Sequence, residues 1–330
     1  MADKVKNMDN SLTNVKIVCL GGGVGTSNAI RGLKQYSPQI TVITSMADDG
    51  GSSGRLRKAY RIMPPGDIVS CISAMIPDSN IDLAHLLTYR FPGNSKENKS
   101  IDGHKLGNLI MFAEILRTKD FYKAIEVTKK LFGVTGEFLP ATDIRTRLSA
   151  ITKDGRTIHS ETTLDLAKYS QPHGLKKIYI TPKNPRVNPK VINQLLQADI
   201  IISGPGDLYT NQLPVLIIPE IKKAIIESKA KKVFVVNITN KPFETKGYAV
   251  IDFIKAVKDH LQVFPFDTVL INDNQTHMIP KKYKYEYVPL ISELNNYDVK
   301  IVQADLVSEV FPLYHDPVKL ARAIKNLYNV

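Results

Sequence analysis

The chain has 330 residues, 43% apolar and 23% charged, an ordinary globular composition large enough for one doubly wound domain or two interlocked ones. No apolar run approaches the roughly 20 residues of a membrane span, and the polar start from Met1 to Asn14 lacks the apolar segment of a secretory signal, reading instead as a disordered arm. The net charge is +12, yet the lysines are scattered in ones and twos without a zinc-finger, RNP or helix-turn-helix pattern, so nucleic acid is not an expected partner.

Val15 to Leu20 is a short apolar run that ends at Gly21-Gly22-Gly23-Val24-Gly25, and Ala29, Ile30 and Leu33 then recur at helical spacing. With a second β-branched run over 40–46, this is a βαβ unit with parallel strands and a right-handed crossover. Residues 67–90 and 104–132 read as helices, separated by a polar loop at 91–103 that suits a lid. Arg145 to Thr152 and Arg156 to Thr163 flank Lys153-Asp154-Gly155, whose Asp-Gly favours a hairpin, so an antiparallel excursion is expected near 145–165. Strands and helices then alternate: strand 176–181, helix 188–197, strand 198–203, helix 214–229, strand 232–237, helix 247–261, strand 268–273. The expected fold is α/β and Rossmann-like: one domain over 15–330, with a doubly wound, mainly parallel sheet, helices on both faces and a β-hairpin excursion. Cys19 and Cys71 sit among apolar residues and cannot make a disulfide framework, which points to buried thiols in a reducing cytoplasm.

Several segments carry candidate chemistry. Gly21, Gly22, Gly23, Gly25 and Thr26 follow a strand and open a helix, where backbone N–H groups and the positive helix end cradle an oxyanion. The loop is neither the dinucleotide fingerprint, since Thr26 replaces its third glycine, nor a Walker A loop, and this weakens an NAD-dependent dehydrogenase reading. At the end of the second strand, Asp48, Asp49, Gly50, Ser52, Ser53 and Arg55 combine carboxylates, hydroxyls, flexible backbone donors and a cation suited to a ribose, a phosphate or a metal such as Mg²⁺, with Asp48 and Asp49 as its ligands. Asp48 stands where a Rossmann site places its ribose acid. Asp67, after Pro64-Pro65-Gly66, is either a third carboxylate at this site or the cap of the next helix. His104 and Asn108 lie one turn apart at the start of an apolar helix. Gly204 and Gly206 end a buried strand, and Asn237 ends another.

The block from Ala47 to Lys58 with Pro64-Pro65-Gly66-Asp67 resembles the YvcK/CofD-like family, which includes the gluconeogenesis factors and the 2-phospho-L-lactate transferases. Gly103-His104 with Leu106-Gly107-Asn108, Gly204-Pro205-Gly206 with Leu208-Tyr209-Thr210, and His315-Asp316-Pro317 with Lys319-Leu320-Ala321 are similar to it as well. The resemblance runs from about Lys16 to Ile324. It implies a UDP-sugar ligand of the UDP-N-acetylglucosamine type and a role balancing central carbon metabolism against cell-wall precursor supply and cell shape. In the transferase branch it implies Mg²⁺ and a phosphate-activated donor at the same strand ends. The family's usual Thr, Ser and Arg are replaced here by Val24, Asp207 and Tyr314, which alters the sugar contacts expected. The resulting expectation is a regulatory nucleotide-sugar binder. The Gly21–Thr26 loop holds the diphosphate, Asp48, Asp49 and Asp67 hold ribose or a metal, and Asn108 and Asn237 orient the ligand. The alternative is a Mg²⁺-dependent enzyme of the 2-phospho-L-lactate transferase type, although no nucleophile and base stand out as a pair. The oligomeric state, a homo-oligomer included, stays open.

Overall fold

A computed structural model of the chain describes residues 12–93, 101–165, 174–242, 244–290 and 299–329. Its strands are β1 (Ile17–Leu20), β2 (Ile40–Thr44), β3 (Glu137–Pro140), β4 (Arg147–Thr152), β5 (Thr157–Ile158), β6 (Leu175–Thr181), β7 (Ile200–Ser203), β8 (Lys231–Val235), β9 (Thr239–Asn240), β10 (Thr268–Asn272), β11 (Glu286–Tyr287) and β12 (Lys300–Ala304). Seven of them form a parallel sheet in the order β12-β10-β8-β7-β1-β2-β3. The central strands β1, β2 and β7 are buried along their whole length, which is why they read as unbroken apolar runs. Side chains leave the sheet alternately: Val18 and Leu20 enter one core, Ile17 and Cys19 the other.

The helices are α1 (Gly23–Leu33), α2 (Gly51–Tyr60), α3 (Gly66–Met75), α4 (Ile81–Thr88), α5 (Leu106–Thr118), α6 (Phe121–Leu131), α7 (Glu161–Asp165), α8 (Pro189–Leu196), α9 (Leu213–Leu216), α10 (Pro219–Glu227), α11 (Val250–Leu261) and α12 (Pro317–Tyr328). Apolar residues of α1, α3, α5, α6 and α12 cover one face of the sheet, and those of α8 to α11 the other. No helix among the described residues is long and apolar enough to cross a membrane.

Several boundaries differ from the sequence reading. The helix expected over 67–90 is two helices parted at Pro77, whose missing N–H and fixed φ suit a break. The helix expected over 104–132 stops at Lys119, and Asp120 caps α6 by accepting from the N–H groups of Tyr122 and Lys123. The strand near 176–181 exists as β6, but it lies outside the parallel sheet and pairs antiparallel with β4. With β5 the two make a three-stranded sheet, so the hairpin around Gly155 is one corner of a larger excursion. The edge strands β3 and β12 and the helix α2 were not expected. Leu12, inside the expected arm, is fully buried in the core, and residues 1–11 lie outside the described residues, as do 94–100 of the polar loop.

Candidate functional site

The order of the parallel strands reverses between β1 and β7, whose successors in sequence lie on opposite sides of them. At such a switch point the loops leaving the strand ends diverge and open a crevice. The two loops here are the glycine segments after β1 and after β7, and they pack face to face. A Cβ on Gly25 would stand 2.4 Å from the carbonyl oxygen of Pro205, and the buried Thr26 hydroxyl donates to that same oxygen at 3.3 Å. Gly204, at φ +82, adopts a conformation that favours glycine. Asn237, at the end of β8, accepts from the N–H of Gly206 at 3.0 Å. The cavity between these loops measures about 300 Å³ and is lined by Gly22, Gly23, Gly25, Gly206, Asn237 and Lys241, among others. Val24, Asp207 and Tyr314, the three departures from the family pattern, line this same cavity. Val24 is 52% exposed, and Asp207 is ion-paired to Lys241 at 2.8 Å.

Helix α1 has no side-chain cap of its own from Gly22, and Asp67 supplies one from 44 residues away: its Oδ1 accepts from the Gly23 N–H at 3.0 Å. A carboxylate at this end satisfies an orphan donor and faces the positive end of the helix. The approach requires Gly22, because a Cβ there would lie 2.2 Å from Asp67 Oδ2. Burial and then the nearby Asp48 push the Asp67 carboxyl up to about 7, against the opposing pull of Lys105 and the Gly23 N–H. Asp48 is raised too, mainly by burial, although it accepts from the Gly50 N–H at 2.8 Å and from Ser53. Asp49 turns the other way, and its Oδ1 accepts from Ser160 of the excursion at 3.2 Å. Asp48 therefore shares its surroundings with Asp67 and Ser53, while Asp49 reaches toward α7. Among the described residues, no group of three or more His, Cys, Asp or Glu side chains is placed to hold a metal ion.

The segment before α5 closes over α2. The Ser52 hydroxyl lies 2.9 Å from His104 Nδ1 and also accepts from the Lys105 N–H at 3.3 Å. Burial, then Arg55 and Arg90, hold the imidazole below its ordinary range and so keep it neutral. The pair has the atoms of a nucleophile and base, which sequence reading did not single out. Both side chains are buried, however, and tie α2 to the approach to α5. Asn108 Nδ2 donates to Ser53 at 3.3 Å, and its Oδ1 is buried without a hydrogen-bond partner. Arg55 donates to the Asp102 carbonyl at 2.5 Å. Lys105 was missed altogether: its ammonium donates to Ser70 at 2.8 Å and is lowered by burial, with Asp67 the largest opposing influence. Its signal was adjacency to His104 at the mouth of an apolar helix, a place where a lysine carries no pattern of its own. Arg57 ties the Asp48 turn to the excursion, donating to the carbonyls of Asp48 at 2.8 Å, Met46 at 3.2 Å and Thr146.

Comparison with known proteins matches residues 17–309 to the family described as 2-phospho-L-lactate transferase CofD. The gluconeogenesis factor of Bacillus subtilis (strain 168) is 36% identical over 318 residues, covering 94% of this chain and 98% of that protein. The gluconeogenesis factor of Halalkalibacterium halodurans is 33% identical over 94% of this chain and 93% of its own length. A crystal structure of a UPF0052 family protein from Bacillus halodurans superposes with a TM-score of 0.85 at 34% identity, covering 94% of this chain and 98% of that one. These matches run along nearly the whole sheet and both glycine loops, and the chain belongs to the CofD family.

Proposed function

We propose that this chain binds a nucleotide sugar of the UDP-N-acetylglucosamine type in the switch-point cleft and acts as a cytoplasmic regulatory protein balancing central carbon metabolism against cell-wall precursor supply and cell shape. The observation that carries the reading is the convergence of both glycine loops, Asn237 and Lys241 on one cavity at the strand ends. The Gly21–Thr26 loop would hold the diphosphate through backbone donors not already used by Asp67, with Lys241 on the opposite wall as its cation. Asn237 would orient the ligand from the end of β8. The relatives named gluconeogenesis factor support the metabolic role. Calorimetric titration of the full chain with UDP-N-acetylglucosamine, with and without Mg²⁺, tests the binding, and chromatography of the mixture tests for turnover. Binding without a product is expected, and absence of binding would overturn the reading.

One observation favours a second reading, a Mg²⁺-dependent transferase of the 2-phospho-L-lactate type. Asp48 raises the Asp67 carboxyl by repulsion, and a divalent ion held by this pair would relieve that repulsion and neutralise charge on a phosphoryl group. A product formed only with Mg²⁺, and lost in Asp67→Asn, would favour it.

A further inference from the structure

On the far side of the Asp48–Asp49 turn, a groove of about 1390 Å³ runs between α2 and the antiparallel sheet of the excursion. It shares no lining residue with the switch-point cleft. Its floor follows from strand alternation: Arg147 pairs with Thr181 and Ser149 with Tyr179, so these four lie on the face opposite Leu148, Ala150, Ile178 and Ile180, which are buried in the core. The facing wall is α2, with Lys58 at its solvent side and Arg61 just past its end.

Charge is what sets this groove apart. Among the described residues five cations line it, Arg57, Lys58, Arg61, Arg145 and Arg147, against two carboxylates, Asp49 and Asp143. Both carboxylates already have partners, Asp49 in Ser160 and Asp143 in Tyr122 and Arg186. Lys58, Arg61, Arg145 and Arg147 make no ion pair among the described residues, although other exposed cations of the chain, such as Arg117 and Lys190, do. Burial holds the Arg57 guanidinium below its ordinary range; Asp49 and Asp48 pull against it, and Arg145 and Arg147 add smaller repulsions. Like charges gathered on facing walls of a concavity repel one another and focus a positive potential that an anion relieves.

We propose that this groove is a second ligand site, which takes a small phosphorylated metabolite bearing at least two anionic groups. Planar guanidiniums suit phosphate oxygens in bidentate pairs, and the hydroxyls of Thr163, Tyr179 and Thr181 offer hydrogen bonds to the polar body between the charges. The volume exceeds what one phosphate fills. Among the described residues, Tyr179 and His159 are the only ring side chains lining the groove, too few to give single-stranded nucleic acid a row of stacking platforms. Among the described residues Met63 and Ile144 are its only large apolar side chains, too few to anchor a protein partner. The site stands independently of the nucleotide-sugar reading.

Calorimetry of the full chain with inorganic tripolyphosphate tests the proposal, alongside UDP-N-acetylglucosamine as a probe of the other cleft. The double variant Arg145→Gln/Arg147→Gln is expected to bind tripolyphosphate roughly tenfold more weakly or worse, and raised salt should weaken the wild type similarly. Its UDP-N-acetylglucosamine isotherm should match that of the wild type. Lys58→Gln/Arg61→Gln, on the opposite wall, should reproduce the loss, so a folding defect in one pair does not decide the matter. Tripolyphosphate binding unchanged in both folded variants overturns the site. A single-stranded oligodeoxynucleotide of about 12 nucleotides that binds more tightly than tripolyphosphate, and is lost in the same variants, overturns the ligand class.

Discussion

Asp67 caps a helix that is not its own. Sequence reading offered it as the cap of α3 or as a third carboxylate at the strand ends; the structure gives it to α1 rather than α3, through the Gly23 N–H, and leaves it within reach of Asp48. A contact across 44 residues leaves no trace in local pattern, whereas the Gly22 that admits it was legible as part of a glycine run. The raised carboxyl has a consequence for stability. With its folded value near 7 and its unfolded value near 3.9, the native state holds a proton that the unfolded chain has lost across that window. The contribution of this group to stability is therefore greatest below the unfolded value and declines as pH rises toward 7. In Asp67→Asn the side-chain oxygen still accepts from Gly23 but no longer titrates. The variant should melt higher than wild type above pH 7 and show a flatter melting profile between pH 4 and 7. Glu244, which burial pushes up to about 7 as well, would leave a residual slope. A profile as steep as that of the wild type would count against Asp67 as the source. Gly25→Val belongs to the same scale: its first carbon collides with the Pro205 carbonyl, so a lower melting temperature and lost nucleotide-sugar binding are expected together. Lost binding at full stability would place the glycine's role at the phosphate alone.

Elements whose two faces are both buried were the easiest to read. The unbroken runs at β1, β2 and β7 stand out because a parallel sheet covered by helices asks nothing polar of its central strands. The edges were hidden for the converse reason: β3 is four residues ending in Pro140, and β12 is half exposed with Lys300 and Gln303 in it. The strand β6 was visible but assigned to the wrong sheet, since an alternation of Leu175, Ile178 and Ile180 with lysines does not announce its partner. α2 was overlooked because its residues, glycines, serines and arginines, read as a ligand loop, and three of them, Gly54, Arg57 and Lys58, do line the second groove while being helical. Helix packing supplies a test at this scale. Gly32 of α1 lies against α12 so closely that a Cβ would stand 1.9 Å from the Pro317 carbonyl oxygen. Gly32→Ala would improve helix propensity yet force the two helices apart, so the net effect expected is destabilisation by about 1–3 kcal/mol, read by urea unfolding. An unchanged midpoint would show that α12 yields freely.

On the scale of the whole molecule, the cleft joins the two halves of the sheet, with α1 entering from the β1 side and Asp207, Asn237 and Lys241 from the β7 and β8 side. The three family departures were each legible as single substitutions, but their meeting in one cavity was not, because Val24, Asp207 and Tyr314 are far apart in sequence and only the switch point brings them together. Asp207 matters most among them. Its carboxylate takes Lys241, a cation lining the same cavity as the glycine loops, and it raises both Asp67 and Glu244 by repulsion. Asp207→Ser would release Lys241 toward a phosphate and remove one negative charge from the cleft, while the hydroxyl keeps a group able to cap the following turn. The expected outcome is an intact fold with nucleotide-sugar affinity equal to or above that of wild type. Since a ligand that binds only the folded chain stabilises it by about 2.7 kcal/mol at a hundredfold excess over its Kd, the comparison can be read as a ligand-induced rise in melting temperature for wild type and variant at two Mg²⁺ concentrations. If the variant loses affinity only when Mg²⁺ is present, Asp207 is a metal ligand rather than a competitor of the phosphate, and the transferase reading replaces the regulatory one.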